Sequence, residues 1–490
     1  MSLVFRQSFA NTLLTYGGFI LGAVNYMWLY LRFMTDSYFG LVGVVLSTAA
    51  ILTPIMSFGI PNTLVKFYSG FTSQIDQNRF LSYCFILPLL VIFPLAGISS
   101  IFNEAIGAFL ARRNAIVENY VWHIFLIGMA MAYFEVFFAW SKISLKSVFG
   151  TFLKEIFIRA GTTGLLIGLY FQIFSEITFL QALVGLYLLR TLIMFWSAKR
   201  LRPIQFDLSV LPNRSDILKY TVLIIVGGSV SVLLLEVDRF MINQYIPIEN
   251  VAYYSLAVFM ATVIIVPWRA MHQITYPITA SLLNAEDWTG LANLYRKTSL
   301  HLFMLAGWLF MLLILNLESI YELVPQHYKS GAIAVIIIGA IKVYDSFLGI
   351  NTAILYNSKY YISLLLMGAG LAILTVGFNM FFIPEFGISG AAYATALAVV
   401  LYNSFKLAFV WIKMSLHPIS KRVLTLLGLF LLTGILTYSL PIDFTPFVDI
   451  LLRSLVITVF YGFGIWILGI SPEFKGLILS RISGKKNPEN

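Results

Sequence analysis

Four cations, Arg159, Arg190, Arg269 and Lys342, stand inside long apolar runs of this 490-residue sequence, and three acids, Glu236, Asp238 and Asp345, share that setting. A charge at mid-bilayer costs about 2.5 to 3.5 kcal/mol on insertion scales, so each of these needs a partner or a wet cavity. Spacing separates them. Glu155 and Arg159 at i and i+4, acid first, have the order of a self-contained structural pair, and Lys342 can reach Asp345 at i+3. Arg269, with His272, Gln273 and Tyr276 on one face, has no carboxylate one turn away and is the leading site candidate. Arg190 and Arg159 join it near mid-depth as cations that could bind a substrate anion. Glu236, Asp238 and Arg239, at the end of the run from Val222 to Leu235, read as a helix end paired within itself or as a substrate or ion site. Asp238, Asp345 and Glu236 are therefore coupling or structural acids. Lys406 and Arg453, nearer span ends, are expected to snorkel.

The elements that must position these charges are helices in a membrane. Hydrophobic residues make up 59% of the chain and charged ones 11%, against roughly 25% charged in soluble domains. Fourteen apolar spans of the length that crosses a bilayer are predicted, near 8–31, 38–60, 80–101, 118–140, 148–171, 177–197, 218–236, 251–276, 299–317, 331–356, 361–383, 388–411, 423–440 and 448–470. The first is a retained helix rather than a signal peptide, having no small-residue cleavage pattern. With the N-terminus inside, inner segments hold roughly 20 Lys and Arg and outer ones roughly 5, which explains the net charge of +10 without nucleic acid. Lys199 to Lys219 forms the richest inner segment, and Ser483 to Asn490 a basic tail.

The pattern divides the chain into a first lobe at 1–198, a cytoplasmic linker at 199–217, a second lobe at 218–412 and two further helices with the tail at 413–490. A shift of about 215 lays Tyr38-Phe39-Gly40-Leu41 on Tyr253-Tyr254-Ser255-Leu256, a faint repeat of the kind transporters have. Asn11, Thr15, Gly18, Gly22 and Asn25 form one stripe on the first span, read as close packing by small residues. The single cysteine, Cys84, rules out a disulfide framework. The five histidines lack ligand spacing, and neither a nucleotide loop nor a hydrolase or metalloprotease motif is present. No cofactor, no metal and no enzyme activity are expected.

Three places resemble the polysaccharide biosynthesis flippases, a branch of the multidrug/oligosaccharidyl-lipid/polysaccharide exporter superfamily. They are Tyr38-Phe39-Gly40 followed by Phe58 to Lys66, Asp238 to Ile242 followed by Val251 to Ala257, and the run Asn379 to Thr395, in which Pro384 and Gly387 mark a tight turn. The resemblance implies an all-α membrane fold of two pseudo-symmetric six-helix lobes in a V, plus two C-terminal helices. It also implies alternating access and transfer of a polyprenyl-diphosphate-linked oligosaccharide to the outer leaflet of a bacterial inner membrane, with a polymerase and glycosyltransferases as partners and a proton or sodium ion as possible driver. The first span lacks the buried arginine of the related lipid II flippases, which argues against peptidoglycan. A multidrug and toxin extrusion antiporter is the rival within the fold; an integral glycosyltransferase would need more loop acids than Asp207, Asp216, Glu286 and Asp287.

Basic residues collect inside, so both termini and the 199–217 linker are expected in the cytoplasm. Reporter fusions after Arg202 and after Lys486 check this: a periplasm-only reporter active at either point would reverse the topology.

Overall fold

The computed structural model describes residues 3–203, 205–207, 209, 211, 214–440 and 444–472; the basic tail Ser483 to Asn490 lies outside them. Among the described residues the secondary structure is helical throughout, and every one of the fourteen predicted apolar spans falls on helix. Among the described residues ten helices are long and apolar enough to cross a membrane, and one of them joins two predicted spans.

The joined case is Tyr361–Met414, where Gly387 interrupts the helical backbone at φ 58° and ψ −131°. A positive φ costs glycine nothing, and it turns the tract into a helical hairpin at the boundary predicted between spans eleven and twelve. Gly390 is as necessary: a Cβ there would lie 2.0 Å from the Phe382 carbonyl oxygen. A second bend follows Asp36–Met56, where Pro54 stands inside the helix, Phe58 and Gly59 take φ of 52° and 64°, and Ile60–Phe67 restarts with Pro61 in its first turn.

Two compact units make up the chain, Met1–Leu256 with Gly368–Thr395, and Ala257–Met367 with Ala396–Asn490. In the first, Val121–Ile143 packs against Asp36–Met56 and Glu176–Leu201. Gly128 brings it close to Ala49 and Met56. The two segments aligned by the 215-residue shift meet face to face. A Cβ on Gly40 would stand 2.2 Å from the Ile248 carbonyl oxygen, Ser37 donates to Glu249 at 2.5 Å and Tyr253 to Asp36 at 3.2 Å. Such backbone approach is what small residues give helices that have no hydrophobic drive to associate in lipid.

Part of the 199–217 segment is fastened to Gln74–Ile86. Arg79 bridges Asp207 at 2.8 Å and Asp76 at 3.3 Å, Asn78 donates to Gln205 at 2.6 Å, and the Asp207 amide donates to Ser82 at 3.1 Å. Hydrogen bonds from Ser209, and then from Arg79, hold the Asp207 carboxyl down to about 2.

In the second unit the C-terminal helices Lys421–Tyr438 and Pro446–Ile467 pack on Trp288–Ile314, with Tyr461 donating to the Met304 carbonyl at 3.2 Å. Arg453, expected to snorkel, pairs with Asp449 one turn away at 3.3 Å, and Ser319 donates to the same carboxylate at 2.5 Å.

Gly390→Leu should block closure of the hairpin and destabilise the protein by on the order of 3 kcal/mol or more, since backbone must move. Gly377→Leu, on the same tract but with open space around its Cβ position, should be tolerated. Membrane abundance and thermal unfolding in detergent compare the two; equal stability would refute the close approach.

Candidate functional site

The stripe on the first span finds its partner in the fifth. Asn11 donates to Ser147 at 2.9 Å, and Asn25, in a π-helical turn Asn25–Leu29, donates to the Arg159 carbonyl at 3.0 Å while accepting from Thr163 at 2.7 Å. Arg159 forms the expected ion pair with Glu155 at 2.8 Å. Gly18 makes room for it: a Cβ would lie 2.5 Å from the guanidinium and 2.6 Å from the Glu155 carbonyl. The packing reading of Gly18 thus acquires a specific tenant, an arginine side chain.

Around this pair the first unit gathers further charge. Glu236 and Arg239 pair at 2.5 Å, and Arg239 also donates to Ser255 at 2.9 Å. Tyr26 lies within electrostatic reach of Arg239, Glu236 and Arg159, and Tyr187 within reach of Arg190, Arg159 and Glu236. Side chains of the three pairs Glu135–Lys154, Glu155–Arg159 and Glu236–Arg239 keep 15 to 45% exposure on helices that the sequence places across the membrane. Charged groups at membrane depth favour water over lipid, and pairing within the helices lowers the cost of each.

Arg190 differs from all of them. It is 6% exposed, its guanidinium lies 4.0 Å from the Phe134 ring centre and 4.8 Å from that of Tyr187, and its Nε is buried with no hydrogen-bond partner among the described residues. Two aromatic faces hold the cation without using its donors.

Asp238, 4% exposed, accepts hydrogen bonds from Tyr254, from Asn379 at 2.8 Å and from Thr395 at 2.7 Å. These three donors come from Glu249–Thr262 and from both sides of the Gly387 turn. Sequence spacing cannot reveal such a hub, since Asn379 and Thr395 lie 141 and 157 residues away. The signal was nevertheless on the page: two of the three resembling segments contain all four residues.

In the second unit Lys342 stands 3.8 Å from Asp345, a loose pair, and Asn403 donates to the same carboxylate at 2.6 Å. Lys406, expected to snorkel, is instead 5% exposed, bonded to Thr352 at 3.1 Å and placed 4.4 Å from the Tyr402 ring centre. A hydroxyl and a ring inside the unit take the place of the interface. Arg269 is exposed on Val266–Asn284, beside a ladder of Trp268, His272 and Tyr276 rings. It has interactions of its own, so the lack of a local carboxylate does not set it apart from the other cations.

No family model and no curated protein matches the sequence. Solved structures match its fold. The lipid II flippase MurJ in an inward closed conformation superposes with a TM-score of 0.71 at 15% identity, over 96% of this chain and 99% of that one. Inward-facing and outward-facing structures of a multidrug resistance MATE family transporter of the MOP superfamily follow, both at 14% identity. Their TM-scores are 0.60 and 0.58, over 79% and 84% of this chain and 93% and 95% of theirs. The chain is an all-α, multi-pass membrane protein with the MurJ/MATE fold.

Asp238→Ala would leave three donors, two of them buried, without their acceptor, a loss of about 3 kcal/mol at roughly 1 kcal/mol each. Glu236→Gln, which keeps one acceptor on a half-exposed pair, should cost under about 1 kcal/mol. Thermal unfolding of the purified variants separates them; equal losses would remove Asp238 from its role as hub.

Proposed function

We propose that the protein is a flippase that carries a polyprenyl-diphosphate-linked oligosaccharide from the cytoplasmic to the outer leaflet of a bacterial inner membrane, for assembly of a surface polysaccharide. The observation that carries this reading is the set of basic groups beside partly exposed carboxylates on helices that the sequence places across the membrane, in a fold whose neighbours include a lipid flippase. A diphosphate presents several acceptor oxygens, and arginine forks and ammonium groups bind them with charge-assisted hydrogen bonds whatever the sugar. Arg269, Lys342, Arg190 and Arg159 are the proposed cargo cations. Movement of the 1–198 lobe against the 218–412 lobe would expose the cargo to each side in turn, with glycosyltransferases and a polymerase acting before and after.

The candidate coupling acids differ in their partners. Glu236 and Asp345 each answer a cation, whereas Asp238 answers two hydroxyls and an amide, with the Asn379 Oδ1 beside it lacking a partner among the described residues. Asp238 is therefore the acid best suited to take up a proton or a sodium ion.

Lipid II is the second reading, favoured by the 0.71 TM-score. The first span, with Arg6 and Arg32 only near its ends, supplies no mid-depth arginine of its own for that cargo.

Deletion should strand lipid-linked repeat units on the inner face and remove the surface polymer, while lysis on depletion would favour lipid II. Unchanged glycan with altered sensitivity to cationic dyes would favour a drug antiporter. Arg269→Ala with Lys342→Ala should abolish transport in a protein that still inserts, and Arg269→Lys should keep part of it. Full transport by the double variant would sink the assignment of those two cations to the cargo.

A further inference from the structure

The last turn of the first span and the turn between Ile158–Tyr170 and Glu176–Leu201 enclose a cavity of about 500 Å³, whose wall includes Arg32, Phe33, Thr35, Gln172, Phe174 and Glu176. Two contacts join its sides. The Thr35 amide and hydroxyl donate to the Glu176 carboxylate at 2.6 and 3.1 Å, and the Phe33 and Tyr170 ring centres lie 4.7 Å apart. Gly168 leaves space for the Phe174 ring, since a Cβ there would lie 2.6 Å from it.

Arg32 and Glu176 bring opposite charges to this wall and form no ion pair with each other. Arg32 is exposed, its guanidinium stands 3.7 Å from the Trp28 ring centre, and among the described residues it donates to no acceptor. Stacking on a ring leaves the edge of a guanidinium, with its paired donors, for an anion. Glu176 gives one oxygen to each Thr35 donor, and each oxygen keeps a second lone pair for the N–H of a cation. A cation is favoured here on a second count. Gln172 takes a φ of 55° and the Ile173 amide donates to the Gly168 carbonyl at 3.0 Å, the ending of a helix whose last carbonyls carry partial negative charge. The ligand that answers both ends of the cavity is a zwitterion, with an acidic oxygen pair at one end and an ammonium at the other. A diphosphate would meet Glu176 as a like charge.

The surroundings identify the source of that zwitterion. Trp28, Tyr170, Phe171 and Ile173 are 46, 59, 66 and 72% exposed beside the cavity, the aromatic and apolar collar expected at the level of lipid headgroups. With the N-terminus inside, as the basic residues predict, that level belongs to the outer leaflet.

We propose that the cavity binds the headgroup of a phosphatidylethanolamine-type phospholipid as a resident lipid distinct from the cargo, its phosphate diester on Arg32 and its ammonium on Glu176. The acyl chains then lie along the exposed apolar residues, and the headgroup ties the first span to the turn before Glu176–Leu201. Such a lipid needs a membrane and no particular cargo, so its site goes beyond the flippase reading.

The test is thermal unfolding of the purified, delipidated full chain in detergent, titrated with dihexanoyl phosphatidylethanolamine, dihexanoyl phosphatidylglycerol and glycerophosphoethanolamine; the rise in midpoint gives an apparent affinity for each. The ethanolamine lipid should bind about tenfold more tightly than the glycerol lipid, the scale of one charge-assisted hydrogen bond. Arg32→Gln should weaken both lipids by about the same factor, because both offer a phosphate. Glu176→Gln keeps an acceptor for the Thr35 amide and should weaken only the ethanolamine lipid, so that the preference disappears; a merely structural role in holding Thr35 would weaken both alike. If Glu176→Gln fails to fold, Arg32→Glu decides on an exposed residue, and it should abolish binding of both lipids. Equal affinities in the wild type, a preference that survives Glu176→Gln, or Arg32 variants that bind like the wild type would overturn the site. Glycerophosphoethanolamine binding as tightly as the lipid would overturn the membrane as its source.

Discussion

A single buried carboxylate, Asp238, decides how several helices of the first unit can be arranged. Taking an acid out of water is expensive, and the cost is met only when its lone pairs are filled. Tyr254, Asn379 and Thr395 fill them, and no two of these three residues can be brought to one carboxylate unless the helices that bear them have settled in one register. Packing of small residues tolerates sliding; a three-donor acceptor does not. The Gly387 turn is what lets Asn379 and Thr395 reach the same atom pair from two directions.

The charges around Asp238 follow a different logic. Glu236 and Arg239 flank it in sequence yet pair with each other, and Glu155 and Arg159 do likewise, so these two cations carry their own counterions. A matched pair can sit beside a wet interior at modest cost and remains available to a passing ion, since exchange of one anion for another changes little. Polarity at this depth is thus met in part by local pairing, and the groups that break the pairing stand out against it.

Much of the fold was legible in the sequence because apolar runs of membrane length are a one-dimensional signal, and Gly387 with Pro384 marked a turn that the backbone makes. The i to i+4 pair of Glu155 and Arg159 was equally legible, being local. Lys406 and Arg453 were not. Their positions near span ends favoured snorkelling, but Thr352 and Tyr402 hold the first through packing between segments, and Asp449 holds the second in a local i to i+4 pair that the snorkelling reading passed over. Arg269 was read from its own helix alone, and the lack of a carboxylate one turn away says nothing about its other interactions. Arg190 was legible as a mid-depth cation, while its setting between Phe134 and Tyr187 emerges only from helix packing.

Gly18 and Arg159 share one volume, and that has a consequence for how such a chain can change over generations. Any side chain at position 18 would occupy the space of the guanidinium, so enlarging the glycine requires shortening the arginine. Shortening the arginine strips Glu155 of its counterion. Gly18 lies more than a hundred residues from the other two, yet the three positions are one unit of inheritance: a variant at any of them narrows what the other two can be, and lineages that keep the arginine should keep the glycine with it.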